Sequence, residues 1–239
     1  MMQKAFFNWS GGKDSAFALY HVLNEGIFDI RYLLTTINSE YKRISMHGVR
    51  EELLVKQAES LGLELLKLYM PEFTSMDEYN SVLTESMKSL KAEGIETAVF
   101  GDIFLQDLRD YRENKLAEAG IKSIFPIWKK DTQKLVRDFI DTGFKTIITS
   151  VDERFLDKSF AGRIIDNTFL KDLPANVDPC GENGEFHSFV FDGPIFKKAI
   201  PFSIGEKTYR KYKQNNNKVP DTGFWYCDII PEKTGNFVK

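Results

Sequence analysis

The first half of the chain alternates short apolar runs with longer segments in which apolar residues recur every three or four positions. The runs are typical of buried strands, and the spaced segments are typical of amphipathic helices. Strands are predicted at residues 4–9, 30–37, 64–69, 97–100 and 123–125, and helices at 15–24, 49–61, 76–92 and 105–119. Gly26, Gly62 and Gly120 follow three of these helices and are expected to end them. Repeated strand–helix units with short links predict an α/β fold, a Rossmann-like parallel sheet flanked by helices.

The pattern changes in the second half. A helix at 132–142 and a strand at 145–150 continue the alternation, but glycine, proline and asparagine then become frequent. Short aromatic strands are predicted at 186–191 and 224–230. We therefore predict two domains. The first spans residues 1–128, and the second, a smaller mixed α and β domain, spans residues 129–239.

Composition and charge narrow the class of protein. The chain has 239 residues, of which 42% are hydrophobic and 28% charged, as in globular proteins with a sizeable core. The formal net charge of −3 argues against a nucleic-acid partner. The polar stretch 211–218 has a mixed composition and predicts an exposed loop; the alternative is a basic arm that binds nucleic acid. No apolar run reaches the length of a membrane span, and no signal peptide precedes the first strand, so we expect a cytoplasmic protein.

Cysteine usage excludes several kinds of site. Cys180 and Cys227 are far apart and form no C-x-x-C motif. This argues against a structural zinc site, a disulfide scaffold and cysteine-dependent thiolation of tRNA.

Six residues between the first strand and the first helix have the chemistry of a phosphate-binding loop. The glycine pair lets the backbone turn sharply and approach a ligand. The following helix, with Asp14 or Ser15 as its expected cap, presents N–H groups and a partial positive charge, and Lys13 adds a full charge. The spacing fits neither G-x-x-x-x-G-K-S/T nor G-x-G-x-x-G. We predict a nucleotide-phosphate site; a ligand-free turn is the alternative. The loop comprises Ser10, Gly11, Gly12, Lys13, Asp14 and Ser15.

These six residues resemble the pyrophosphate loop of the ATP pyrophosphatases, which include the synthetase domains of GMP synthetase and asparagine synthetase. Other segments resemble the diphthine ammonia ligase group of that superfamily. They are Met46-His47-Gly48, Gln57-Ala58, Leu61-Gly62, Gly101-Asp102-Ile103, Asp110-Tyr111-Arg112, Phe125-Pro126-Ile127-Trp128 and Cys180-Gly181-Glu182-Asn183-Gly184-Glu185-Phe186-His187-Ser188. The resemblance implies a HUP-type fold and a two-domain enzyme. Such an enzyme activates a carboxylate with ATP and Mg²⁺ as an acyl-adenylate, releases pyrophosphate and transfers the acyl group to ammonia.

The resemblance also implies roles for residues at the carboxyl edge of the sheet. The loop would hold the β- and γ-phosphates, with Lys13 neutralising the leaving pyrophosphate and Asp14 binding Mg²⁺; for Asp14 a pure helix cap is the alternative. Thr35, Thr36 and Ile37, expected at the end of the second strand, would meet the adenine through backbone groups. Gly101 would let its strand pass close to the nucleotide, or be simply a turn residue. Asp102 would contact ribose, metal or substrate.

Substrate selection is assigned to the turn in the second domain. Asn183-Gly184 separates Glu182 from Glu185, so a tight turn can bring both carboxylates to one cavity, with His187 beside them. The two glutamates would bind an ammonium or trimethylammonium group, and one would accept a proton from ammonia. The alternative is a turn with solvated glutamates.

Two other residues complete the predicted site. Tyr111 would reach the acyl-adenylate. His47 would lie near the nucleotide or simply precede a helix.

Two classes of function remain open. One is an amide-forming ligase that uses free ammonia, and the other is an ATP-binding module without chemistry. The complete loop, with both Lys13 and Asp14, favours the enzyme. The related ligases commonly carry Glu then Thr where this chain has His187-Ser188. The acyl substrate is therefore either diphthine on elongation factor 2 or a small metabolite. A homodimer is also left open.

Overall fold

The computed structural model describes residues 2–44, 47–72, 74–212 and 221–232. Its first part is a five-stranded parallel sheet in the order β3-β2-β1-β4-β5. The elements are β1 (Gln3–Asn8), α1 (Lys13–Glu25), β2 (Phe28–Asn38), α2 (Glu51–Leu61), β3 (Glu64–Met70), α3 (Met76–Ala92), β4 (Thr97–Val99), α4 (Gln106–Glu118) and β5 (Lys122–Ile124). The predicted α/β sheet is confirmed. The strand order reverses between β1 and β4, which is where ligands bind in such sheets.

The central strands β1, β2 and β4 are buried on both faces over much of their length, which is why they appear as nearly continuous apolar runs in the sequence. Phe7 of β1 packs in the larger hydrophobic core, which includes residues of α1 and α2. Its neighbour Phe6 packs on the opposite face, in a smaller core with Met87 of α3 and Leu116 of α4. Successive side chains of a strand point to opposite faces, so helices must cover both sides of this sheet.

The second part contains a four-stranded antiparallel sheet in the order β7-β6-β9-β8. The elements are α5 (Thr132–Asp141), β6 (Lys145–Asp152), α6 (Asn167–Asp172), β7 (Phe186–Asp192), β8 (Phe202–Tyr212) and β9 (Thr222–Pro231). The predicted helix and strand after residue 131 are present as α5 and β6, and β6 pairs antiparallel with both of its partners, β7 and β9.

Strand β8 was not predicted because most of its residues are exposed, so it has no apolar run. Lys211 and Tyr212, expected in a loop, end this strand, and the rest of the predicted 211–218 loop lies outside the described residues.

The two parts share one hydrophobic core. Phe17 of α1 packs edge-on against Phe139 of α5 and Phe144, with ring centroids 5.8 and 6.0 Å apart. The amide of Val190 in β7 donates a hydrogen bond of 2.9 Å to the carbonyl of Gly11. The second sheet therefore packs directly on the loop that follows β1. Within the described ranges, no helix combines the length and apolar character needed to cross a membrane.

Candidate active site

The conformation of the loop after β1 depends on its glycines and on hydrogen bonds formed by its serine side chains. Gly11 has φ of +75°, and a Cβ at that position would lie 2.7 Å from Gln57 Oε1. Only glycine adopts this conformation at little cost. The Gly12 amide donates to Ser10 Oγ at 3.3 Å, and Ser15 Oγ donates to the Gly12 carbonyl at 3.0 Å. The loop is therefore a rigid turn that leads straight into α1.

The cap of α1 differs from the sequence-based expectation. Gly12 is the N-cap, in extended conformation with φ of −89° and ψ of 176°, and it has no side chain of its own to cap the helix. Asp14 and Ser15 lie in the first turn instead, because the helix begins at Lys13. The Lys13 amide donates to the side chain of a distant residue, Ser188 Oγ of β7, at 3.2 Å. The partial positive charge of a helix N-terminus favours the binding of an anion.

Gln57 forms a hydrogen bond to the loop, and its role in the site was not predicted from the sequence. Its side chain is completely buried. Its Oε1 accepts a hydrogen bond of 2.9 Å from Trp9 Nε1, and its Nε2 donates to the carbonyls of Gly11 at 3.0 Å and Val190 at 2.6 Å. The sequence offered one signal for this role. Gln57 is a polar residue on the apolar stripe of α2, and a buried side-chain amide needs hydrogen-bond partners.

Lys13 and Asp14 form a close ion pair. Lys13 Nζ lies 2.6 and 2.7 Å from the two carboxylate oxygens of Asp14, and Lys13 is only 3% exposed. Burial alone would lower the pKa of Lys13, but the Asp14 carboxylate outweighs it and the pKa lies above its ordinary value. Lys13 therefore keeps its charge across the physiological pH range.

A cavity of about 660 Å³ opens at the carboxyl edge of the parallel sheet and reaches the second sheet. One arm is apolar and lies under α3 and α4; it is lined by Phe6, Leu34, Leu83, Met87, Phe100 and Leu116. The other arm lies at the phosphate-binding loop. Most of the predicted site residues line this cavity: Ser10, Gly12, Lys13, Asp14, Ser15, Thr35, Thr36, His47, Gly101, Asp102, Tyr111, Glu182 and His187. Gly11, Ile37 and Glu185 do not.

Residues 35–37 lie within β2 and not at its end, because the strand continues to Asn38. Strand β1 ends opposite Leu34, so β2 extends past it into the cavity wall. Thr36 faces the cavity, whereas the side chain of Ile37 is fully buried in the larger core. Backbone recognition of adenine by this segment stays a prediction.

Gly101 and Asp102 follow β4 and contact other protein groups. A Cβ on Gly101 would lie 2.8 Å from the backbone nitrogen and Cα of Ser15. Glycine is thus required here by the close approach of the first turn of α1, which the sequence could not reveal. Asp102 forms an ion pair with Arg112 of α4, whose guanidinium lies 4.6 Å from the ring centroid of Phe100. Tyr111 donates a hydrogen bond to Asn80 of α3.

The turn in the second domain places its two glutamates differently. Glu182 lines the cavity, and burial together with the nearby Asp14 carboxylate raises its pKa to about 8. Glu185 is fully buried away from the cavity. Its carboxylate accepts hydrogen bonds from the amides of Asp178 and Asn183 and from Asn183 Nδ2, at 3.0, 2.9 and 2.9 Å. The expectation that both carboxylates reach one cavity is therefore wrong, because Glu185 satisfies the amides of its own turn.

Two histidine rings lie against each other beside the loop of residues 10–15, with their planes tilted by 31°. The rings of His47 and His187 have centroids 4.5 Å apart, and His47 Nδ1 lies 3.4 Å from the carbonyl oxygen of Ser188. Burial lowers the pKa of His47 to about 4, and burial beside His47 lowers the pKa of His187 as well. Both rings are therefore neutral at pH 7. Cys180 also lines the cavity, where burial raises the pKa of its thiol and keeps it unreactive.

Substitution of each glutamate of the turn by glutamine is expected to change the stability of the protein in opposite directions. Glu185→Gln should lower the free energy of unfolding by about 2 kcal/mol, because an amide group replaces an acceptor that two backbone amides need. Glu182→Gln should instead stabilise the protein at pH 8 to 9. The pKa of Glu182 is raised from 4.5 to about 8 in the folded state, so stability falls as pH rises through that interval. Urea unfolding at pH 4.5 and pH 8.5 measures both effects. Equal losses in the two variants would contradict the assignment.

The chain is similar to known proteins along most of its length. The family model of the diphthamide synthase N-terminal domain matches residues 2–123, and that of the diphthamide synthase C-terminal domain matches residues 131–218. The diphthine–ammonia ligase of Schizosaccharomyces pombe is 28% identical over 85% of this chain, which spans 38% of that relative. The diphthine–ammonia ligase of Danio rerio is 27% identical over 80% of this chain and 83% of its own length. The diphthine–ammonia ligase of Homo sapiens is 24% identical over 80% and 79%, respectively.

The two family models together match all the elements that line the cavity, and β9 lies beyond the second match. The first of them alone matches more than half of the chain. This chain belongs to the diphthamide synthase family, within the ATP pyrophosphatase superfamily.

Proposed function

We propose that this protein is an ATP-dependent amide-forming ligase. It adenylates a carboxylate with release of pyrophosphate and transfers the acyl group to ammonia. One observation carries the proposal: the Lys13–Asp14 ion pair at the start of α1 lines the same cavity as Glu182. The curated relatives reported above, all of them diphthine–ammonia ligases, support the same reaction.

The phosphates of ATP would lie at the N-terminus of α1. The helix dipole and the backbone around Gly12 favour an anion there, and Lys13 supplies a full charge beside the leaving pyrophosphate. Asp14 fits a Mg²⁺ site, since its carboxylate is partly open to the cavity and Mg²⁺ is commonly held by one or two carboxylates together with phosphate oxygens. The metal, when bound, neutralises charge on the phosphates, and Lys13 and the helix end do so from the protein side.

The adenine would lie beside β2, where the backbone at Thr36 extends past the end of β1. The apolar arm of the cavity begins at Leu34, next to this segment, and suits a flat heteroaromatic ring. In this pose the α-phosphate would point toward Glu182 and His187, which line the same cavity.

The transfer step needs a group that takes a proton from the attacking nitrogen. Ammonia attacks the acyl carbon of the adenylate, the bond from that carbon to the AMP oxygen breaks, and one proton is released for each amide formed. Glu182 lines the cavity and would accept this proton, since its raised pKa makes its deprotonated form a stronger base than an ordinary carboxylate. Tyr111 and Asp102, the latter held by Arg112, would contact the acyl-adenylate from α4 and the end of β4.

The acyl substrate is proposed as diphthine on elongation factor 2, as the names of the relatives suggest, or as a carboxylate of a small metabolite. The second alternative is favoured by His187. A neutral ring that lies against the His47 ring occupies the position where the related ligases commonly carry glutamate, so the cavity offers one carboxylate fewer to a cationic substrate. We propose a cytoplasmic location for either reaction.

Incubation of α-labelled ATP with the protein, Mg²⁺, ammonia and a carboxylate substrate should yield AMP. The phosphate-binding loop would hold the β- and γ-phosphates as a leaving group, so the bond between the α- and β-phosphates should break. Thin-layer chromatography of the labelled products checks this. ADP as the labelled product would contradict the proposal, and bound ATP that is never cleaved, with either class of carboxylate, would support a binding module instead.

A further inference from the structure

Two arginines lie directly opposite each other at the base of the loop that carries His47. Arg43 and Arg50 pair across an isolated antiparallel bridge. Like charges in that arrangement destabilise the pairing unless an anion compensates them. The described residues 39–44 and 47–50, called the His47 loop below, therefore need an acidic partner.

The partner is Asp228, which lies in β9 of the second domain. Arg43 Nη1 is 2.9 Å from Asp228 Oδ1, and Arg50 Nη2 is 2.6 Å from Oδ2. Arg50 Nε also donates to Oδ1 at 3.1 Å. Partial burial acts to raise the pKa of Asp228, but the two guanidiniums outweigh it and hold the pKa below its ordinary value. Asp228 is therefore ionised at neutral pH and joins both arginines.

Arg43 also contacts the segment of His47 and Gly48, which lies against the loop of residues 10–15. Arg43 Nη1 donates to the carbonyl of Gly48 at 2.6 Å. His47, the preceding residue, places its Cε1 3.2 Å from where a Cβ on Gly12 would lie. A displacement of the two arginines thus moves the backbone on which His47 sits.

Hydrophobic packing holds the His47 loop only in part. Ile44 and Val49 are buried in the larger core. On the other side, a second cavity of about 370 Å³ separates part of the loop from β8 and β9, and Arg43, Gly48, Tyr226 and Asp228 line it. Because this side is not filled by side chains, the ion pairs and the contact of Gly48 with the Tyr226 ring tie the loop to the second domain there.

We infer that Asp228 is a positioning residue, which neutralises Arg43 and Arg50 across the His47 loop and thereby holds His47 over the phosphate-binding loop. The expected contribution of Asp228 to ATP affinity rests on the proposed function. Its effect on the position of His47 does not depend on that function.

The test replaces Asp228 with its uncharged isostere. In Asp228→Asn the two arginines repel each other, the base of the loop opens and His47 becomes accessible to water. The pKa of His47, followed by NMR of the imidazole signals without ATP, should rise from about 4 toward its ordinary 6.5. ATP affinity measured by calorimetry should weaken about tenfold. The His47→Gln spectrum assigns the His47 signals among the three histidines.

A second variant separates charge compensation from a general loss of structure. Arg50→Gln added to Asp228→Asn removes the repulsion, so the pKa of His47 should return most of the way to the wild-type value. Asp172→Asn removes the exposed Arg163 ion pair of α6 and is the matched control, which should leave His47 unchanged. An unchanged His47 in Asp228→Asn, or a double variant no better than the single one, would overturn the inference. If wild type fails to bind ATP, the proposed function fails, while the His47 titration still decides the role of Asp228.

Discussion

Lys13→Met is expected to reduce the rate of AMP formation by about a thousandfold, a loss comparable to the removal of a preorganised transition-state charge. Lys13 is almost fully buried at the start of α1, and its ammonium group is 2.6 Å from Asp14. Without it the Asp14 carboxylate is left unpaired beside the phosphates, so the substitution removes an attraction and exposes a repulsion at the same place. Methionine keeps most of the side-chain volume and isolates the effect of charge.

The measurement is single-turnover formation of AMP from α-labelled ATP. Lys134→Met is the matched control, because Lys134 forms an exposed ion pair with Asp138 on α5. Its rate should equal that of wild type. A Lys13→Met rate within tenfold of wild type would remove Lys13 from the phosphate site.

Glu182→Gln is expected to lower the rate of acyl transfer about a hundredfold while ATP affinity changes less than about threefold. The amide cannot accept a proton from ammonia. Because the pKa of Glu182 is about 8, its side chain is largely protonated at pH 7, and a neutral amide there changes little of the charge beside Lys13 and Asp14. In wild type the rate should rise with pH up to about 8, because the pKa of Glu182 is about 8 and only its deprotonated form acts as a base.

The pH profile separates this role from a structural one. With ammonia held constant as the free base, the rise of the rate toward pH 8 should disappear in Glu182→Gln. Glu118→Gln, an exposed glutamate at the end of α4, is the control and should retain the wild-type profile. A variant that keeps that profile would show that another group accepts the proton.

The sequence alone determined the parallel sheet. Strands buried on both faces must be apolar throughout, and helices that cover them must be amphipathic, so both appear directly in the pattern of residue types. It also predicted the glycine-shaped loop of residues 10–15 at the start of α1, because glycines act through local backbone geometry; the binding of phosphate by this loop stays a prediction. The same reasoning failed for β8, whose side chains mostly face solvent, and for the cap of α1, whose first turn begins before the expected residue.

Only the tertiary structure decided the relations between distant segments. Which glutamate of the second-domain turn reaches the cavity depends on which backbone amides Glu185 must satisfy, and residue types do not specify that. Gly101 is required by the backbone of Ser15 packed against it. Gln57 and Asp228 bind groups 133 and 185 residues away in the chain. Such contacts arise when the second sheet packs on the first, and the local sequence does not specify that packing.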